Sequence, residues 1–160
     1  CNMKHIITAM VENQPGVLAR IVGLISGRGF NIESLNVAPT QDPTVSRLTI
    51  KVPGDNRVLE QVTKQLNKLI DVIKVSDLTQ KHYLNRELML IEVAAPPNKR
   101  AEVVELAKLF DAKAVSVQAN SLTIQMVGEQ NKMDDFLILL KPFRILDISR
   151  SGVIAVARGE

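Results

Sequence analysis

The order in which apolar residues change their period constrains this chain more than any single motif does. Residues 46–52 alternate, with Leu48, Ile50 and Val52 on one face and Arg47, Thr49 and Lys51 on the other. That spacing predicts a strand with one solvated face. Just beyond it, Leu59, Val62, Leu66 and Leu69 recur at helical spacing. They predict a helix over 56–69, with Asp55 or Asn56 as its N-cap. Upstream, strand-like runs at 4–11 and 31–37 flank a helical stripe of Val17, Leu18, Ile21, Leu24 and Ile25; a further strand-like run follows at 71–78. The resulting order, β-α-β-β-α-β, is the ferredoxin-like unit.

The order then repeats. A strand over 87–95 runs into the turn Ala95-Pro96-Pro97-Asn98, where Asn98 is a candidate cap for a helix over 99–110. That helix carries Val103, Leu106, Ala107 and Phe110 on one stripe. Runs at 113–118 and 122–127 read as a hairpin around Ala119-Asn120-Ser121. A helix over 131–140 presents Met133, Phe136, Leu137 and Leu140, Pro142 ends it, and strands at 145–149 and 153–157 close the chain. The expected fold is α+β: two tandem ferredoxin-like βαββαβ domains at 1–78 and 87–160, joined by a polar linker at 79–86. The halves share element order, with no repeat residue by residue.

Of the 160 residues, 46% are hydrophobic but only 3% aromatic, so the cores must be built from Val, Leu and Ile. The net charge of +3 is mild and its basic residues are scattered without aromatic interleaving, which excludes a nucleic-acid surface of the stacking type. No apolar run reaches the ~18 residues of a membrane span. The single cysteine, Cys1, supports neither a disulfide framework nor a thiolate metal site, and Met3 is the expected native start. No signal-peptide pattern opens the chain, so an intracellular protein is expected.

Reactive chemistry is sparse. His5 falls in a strand and His82 in the linker, and neither has neighbours in sequence that complete a metal set or a nucleophile–base pair. Gly27-Arg28-Gly29 has two of the three glycines of a dinucleotide fingerprint and lies at the end of a helix, where that fingerprint must open one. Asp134-Asp135 fall near a predicted helix start, where carboxylates suit the dipole, and Arg20 reads as part of a solvated helix face. A binding or regulatory role is therefore expected rather than catalysis, with no catalytic residue and no metal in this chain. The one suggestive stretch is Asn13-Gln14-Pro15-Gly16, a breaker cluster opening the first helix. Unpaired N–H groups at Gly16-Val17-Leu18 suit a small carboxylate, and glycine lets a ligand approach the backbone. A plain strand–turn–helix connection is the alternative reading.

Residues 11–13, the run Pro15-Gly16-Val17-Leu18-Ala19-Arg20 and the run Gly29-Phe30-Asn31-Ile32-Glu33-Ser34-Leu35 resemble an ACT domain, a βαββαβ module that binds amino acids. Residues 28–50 (RGFNIESLNVAPTQDPTVSRLTI) and 149–159 (SRSGVIAVARG) are similar to the regulatory, or small, subunit of acetolactate synthase (acetohydroxyacid synthase). The resemblance covers essentially the whole chain. It implies a non-catalytic subunit that activates a thiamine-diphosphate-dependent large subunit in branched-chain amino acid biosynthesis. It also implies feedback inhibition by valine or another branched-chain amino acid. Thiamine diphosphate, FAD and Mg²⁺ would belong to the partner, with no cofactor in this chain. Such subunits form a homodimer through the ACT domain, with effector sites at the interface. The resemblance places Asn13, Gly16, Val17 and Leu18 on one side of that site and Asn31 and Ile32 of a neighbouring copy on the other. Asn13 and Asn31 carbonyls would accept from the ammonium, and Val17, Leu18 and Ile32 would line an apolar pocket. The expected setting is the cytoplasm, or a plastid in a plant or alga, with no nucleic acid and no membrane as partner. An ACT-type sensor for another metabolic enzyme, or a small enzyme on this scaffold, are the other classes.

Overall fold

The structure, a computed structural model, describes residues 4–79 and 81–159. Cys1, Met3 and Gln80 of the expected linker lie outside the described residues. The chain divides into two compact units, Cys1–Leu84 with Val153–Glu160, and Asn85–Gly152.

In the first unit, β1 (Lys4–Glu12), α1 (Val17–Gly27), β2 (Ser34–Pro39), β3 (Val45–Pro53), α2 (Asn56–Asn67) and β4 (Val72–Asp77) form a βαββαβ unit. The sheet order is β2-β3-β1-β4, all antiparallel. Ile7, Ala9 and Val11 of β1 and Leu48, Ile50 and Val52 of β3 pack under Val17, Ile21 and Ile25 of α1 and Val62 and Leu66 of α2. Those helical residues are spaced three or four apart, the period that keeps them on one face. Asp55 caps α2, its carboxylate accepting from the amides of Arg57 (3.0 Å) and Val58 (3.1 Å).

The second unit repeats the order with β5 (Tyr83–Ala94), α3 (Arg100–Leu109), β6 (Lys113–Val117), β7 (Ser121–Gly128), α4 (Gln130–Leu139) and β8 (Ile145–Arg150). Its strands run β6-β7-β5-β8, the same topology. Met89, Ile91 and Val93 meet Val103, Ala107, Met133 and Phe136 in its core. The Phe110 and Phe136 rings sit 5.2 Å apart. The α+β fold of two ferredoxin-like βαββαβ repeats is thus present. Among the described residues no helix is long and apolar enough to cross a membrane.

Several expectations are corrected. β5 begins at Tyr83, inside the expected linker. Asn98 does not cap α3, whose N-cap is Lys99 with no side-chain cap. Asp134 is not in the first turn of α4; it lies 3.4 Å from Arg150, which also holds the buried Glu87 through two hydrogen bonds of 2.7 and 3.1 Å. Arg150 is stabilised as a cation, first by its hydrogen bonds to Glu87 and then by charge attraction, against the opposing effect of burial.

The largest correction concerns the first sheet. Thr49 (3% exposed) and Lys51 (7%) are buried and Arg47 is half-buried, so the expected solvated face of β3 is largely covered. The reason is the C-terminal strand β9 (Ile154–Ala157), which groups with the first unit rather than with 87–152. Val153 and Ala155 pack with Ile6, Leu78 and Tyr83. Arg47 Nη2 donates to the Ala155 carbonyl (2.9 Å) and Asn36 Nδ2 to the Val153 carbonyl (3.0 Å). The Arg158 amide donates to the His82 carbonyl (2.9 Å), and β9 pairs with β5, whose first residues belong to this unit. A chain ending at Gly152 is therefore expected to lose on the order of 3 kcal/mol in the first unit, the scale of uncovering one or two apolar side chains. Urea unfolding followed by resonances of β1 residues measures it; an unchanged midpoint would mean that β9 contributes no net stability.

Candidate functional site

The turn between β1 and α1 is built around Gly16, at φ 86° and ψ −10°. This left-handed conformation strains any residue with a Cβ, and Pro15 before it fixes the entry to the turn. Gly16 is the N-cap of α1, and no side chain caps the helix. The Val17 amide reaches back only weakly, to the Gln14 carbonyl at 3.3 Å. The amides of Leu18 and Ala19 have no intrahelical acceptor by helix geometry and face the positive end of the dipole. An exposed, uncapped helix start behind a glycine can accept an anionic group directly on its backbone.

Asn13 is pinned beside this turn. Its amide donates to the Thr44 carbonyl (2.8 Å) and its Nδ2 to the Pro43 carbonyl (2.9 Å). Spending Nδ2 this way fixes the amide's orientation and leaves Oδ1 as the acceptor for a cationic group. The hairpin that holds Asn13 is itself locked by Asp42, whose carboxylate accepts from the Thr44 hydroxyl (2.7 Å) and amide (2.9 Å). Those two bonds, the hydroxyl first, hold the Asp42 carboxyl below its ordinary value.

The other expected site residues fall differently. Val17 is 2% exposed and belongs to the core, so its side chain is not available to a ligand; only its backbone faces the turn. Leu18 is 39% exposed and does lie on the open side. Asn31 is exposed and Ile32 half-buried against the core, both in the irregular segment before β2, which starts at Ser34 and not at 31. They follow the C-terminus of α1, whereas Gly16 opens it. Eleven residues of helix separate the two by about 16 Å. One chain therefore does not bring Asn31 and Ile32 to Asn13 and Gly16.

Sequence reasoning missed Arg20 and Asp71. Arg20 donates to Asp71 through Nε (2.9 Å) and lies 2.8 Å from it through Nη2. Its Nη1 lies 3.2 Å from where a Cβ on Gly16 would stand. The i,i+4 spacing of Gly16 and Arg20 on a helix was a usable signal; Asp71, 51 residues away, left none. Among the described residues no group of three or more His, Cys, Asp and Glu has the arrangement to hold a metal ion. His5 is fully buried with Nε2 3.0 Å from the Gly54 carbonyl, an ordinary structural contact.

With this geometry in place, comparison with known proteins is decisive. Residues 7–74 match the family model for the AHAS small subunit-like ACT domain, and residues 86–159 match that for the small subunit of acetolactate synthase. The chain belongs to the acetolactate synthase small-subunit family. It is 48% identical over 159 residues to the acetolactate synthase small subunit of Haemophilus influenzae, covering 99% of this chain and 98% of that one. It is 43% identical over 159 residues to the isozyme 3 small subunit of Escherichia coli, at the same two coverages. The crystal structure of the small subunit from Thermotoga maritima superposes with a TM-score of 0.89 at 33% identity, covering 99% of both chains. The family is that of a regulatory subunit of an enzyme complex, and its first half is an ACT domain.

The left-handed turn sets the first test of the site. Gly16→Ala is expected to destabilise the first unit by about 1–2 kcal/mol, and Gly16→Asn by less, since Asn visits this conformation more readily. Urea denaturation measures both; equal stabilities for all three residues would mean that the turn relaxes to negative φ.

Proposed function

We propose that this chain activates the thiamine-diphosphate-dependent catalytic subunit of acetolactate synthase and makes it sensitive to feedback inhibition by valine. The observation that carries the effector site is the uncapped start of α1 behind Gly16 at φ 86°. The effector carboxylate meets the Leu18 and Ala19 amides, with Arg20, braced by Asp71, as a charged donor alongside. The ammonium is accepted by Asn13 Oδ1. Asn31 and Ile32, which the resemblance places across an interface, lie at the far end of α1 and would serve the site of a second copy. The functional form is then a homodimer through the ACT domains, with Leu18 of one copy and Ile32 of the other flanking the aliphatic side chain. Thiamine diphosphate, FAD and Mg²⁺ are assigned to the catalytic partner, and the complex works in the cytoplasm. Inhibition follows only as far as valine binds one state of the complex better than the other, typically a coupling of about 1–3 kcal/mol.

The test is acetolactate formation by the matching catalytic subunit with and without this chain, across a valine titration. The chain is expected to raise the rate, and valine to lower it again. Gly16→Asp is expected to abolish inhibition while leaving activation largely intact, because a carboxylate at this turn occupies and repels the ligand's own. Asn31→Ala is expected to weaken inhibition roughly ten- to hundredfold, from the loss of a hydrogen bond to charge of about 1.5–3 kcal/mol. A folded Gly16→Asp variant that activates and is still inhibited at the unmodified valine concentration would remove the effector from this turn. Absence of activation would remove the regulatory reading itself.

A further inference from the structure

The face of the first sheet that turns away from its helices carries an arrangement the effector site does not use. The register places Met10 of β1 between Arg47 of β3 and Lys74 of β4, and Thr8 between Thr49 and Ser76. Alternation sends these side chains to the side opposite Ile7, Ala9 and Val11. The C-terminal strand walls one side, held where Arg47 Nη2 donates to the Ala155 carbonyl. Between them lies a cleft of about 480 Å³, lined by Thr8, Arg47, Lys74, Ser76 and Lys81, with Val156 from β9. Every one of these residues belongs to the first unit.

Three cations face this cleft, and among the described residues no carboxylate is paired with Arg47, Lys74 or Lys81. Arg47 Nε is buried without a hydrogen-bond partner. Glu12, the next residue on this face beyond Met10, is exposed and does not line the cleft. The repulsion of three like charges around a partly enclosed space is relieved by an anion, and the Thr8 and Ser76 hydroxyls add neutral donors. A guanidinium, two ammonium groups and two hydroxyls offer more donors than one carboxylate accepts. A phosphate, with three or more oxygens and up to two charges, satisfies them.

We propose that this cleft is a binding site for a phosphate-bearing small anion, distinct from the amino-acid effector turn. Its volume leaves room for a second phosphoryl group or an organic remainder against Val156. The bound anion bridges β4 and β3 beside the C-terminal strand, so occupancy holds that strand to the sheet.

The experiment titrates the full chain with pyrophosphate, inorganic phosphate and ribose 5-phosphate at constant ionic strength, read by calorimetry and by amide shifts of Thr8, Ser76 and Val156. Saturable binding with shifts at these amides is expected for at least one of the three. The double variant Lys74→Gln, Lys81→Gln is expected to weaken it by about tenfold or more, as loss of charge-assisted bonds requires. Both lysines are exposed, so the fold is kept. Arg28→Gln, an exposed cation outside the cleft, is expected to leave binding unchanged. Tighter binding of pyrophosphate assigns the site to a free polyphosphate, and tighter binding of ribose 5-phosphate to a phosphorylated metabolite. Absence of saturable binding by all three overturns the proposal. So does equal weakening by Arg28→Gln, which would mean general attraction to a basic chain.

Discussion

The first unit depends on the double pairing of β1. This strand exchanges hydrogen bonds with β3 on one edge and β4 on the other, so it cannot shift register without breaking both ladders. It is also buried on both faces: Ile7, Ala9 and Val11 toward the helices, Ile6 and Thr8 on the other side. A ferredoxin-like unit supplies helices for only one face. The second face needs cover from elsewhere in the chain, and β9 supplies it from more than 140 residues downstream. The last strand is thus part of the first unit for the same reason that α1 and α2 are: it removes a face of β1 from water.

This accounts for what the sequence could and could not disclose. The βαββαβ order was legible because each helix stripe and each strand run is a local pattern. Val17, Ile21 and Ile25 lie one helical turn apart, and Leu48, Ile50 and Val52 alternate with polar residues. Burial of Thr49 and Lys51 was not legible, because alternation reports polarity and polarity was equated with water. A polar residue on a covered face looks the same in sequence as one on an open face until the covering segment is known. The early start of β5 has a related origin. Tyr83 and Leu84 enter a strand because β9 is there to pair, while their local surroundings are polar enough to read as a linker.

At the site, the turn itself was legible because Pro followed by Gly before a helical stripe has few other uses. What the side chains do there was less so. Val17 was expected to line a pocket, yet its place on the same stripe as Ile21 and Ile25 already commits it to the core. Leu18, one position on, is rotated by about 100° and emerges. Asn13 was legible as a polar residue near the turn, but the partners that orient it, Pro43 and Thr44, come from the β2–β3 hairpin 30 residues later. Asn31 and Ile32 entered only through resemblance, and their distance from Gly16 along α1 leaves them without a role in their own chain's turn.

The two candidate ligand sites share β1, and this gives them a physical route to each other. The turn at Gly16 leaves the C-terminal end of β1, where the Glu12 amide donates to the Asp71 carbonyl and the Asn13 amide to the Thr44 carbonyl. Asp71 leads directly into β4, and Thr44 into β3. Lys74 and Arg47, the cations beside Met10, lie three residues along those two strands. A ligand that alters the spacing of β4 and β3 at the turn therefore alters the distance between the cations that an anion would bridge. Packed sheets have discrete arrangements rather than a continuum, so such a change is felt as a bias between states. By linkage, whatever one ligand does to the affinity of the other is returned in equal measure. If neither ligand distinguishes the arrangements, occupancy of one leaves the other unmoved however tightly each binds.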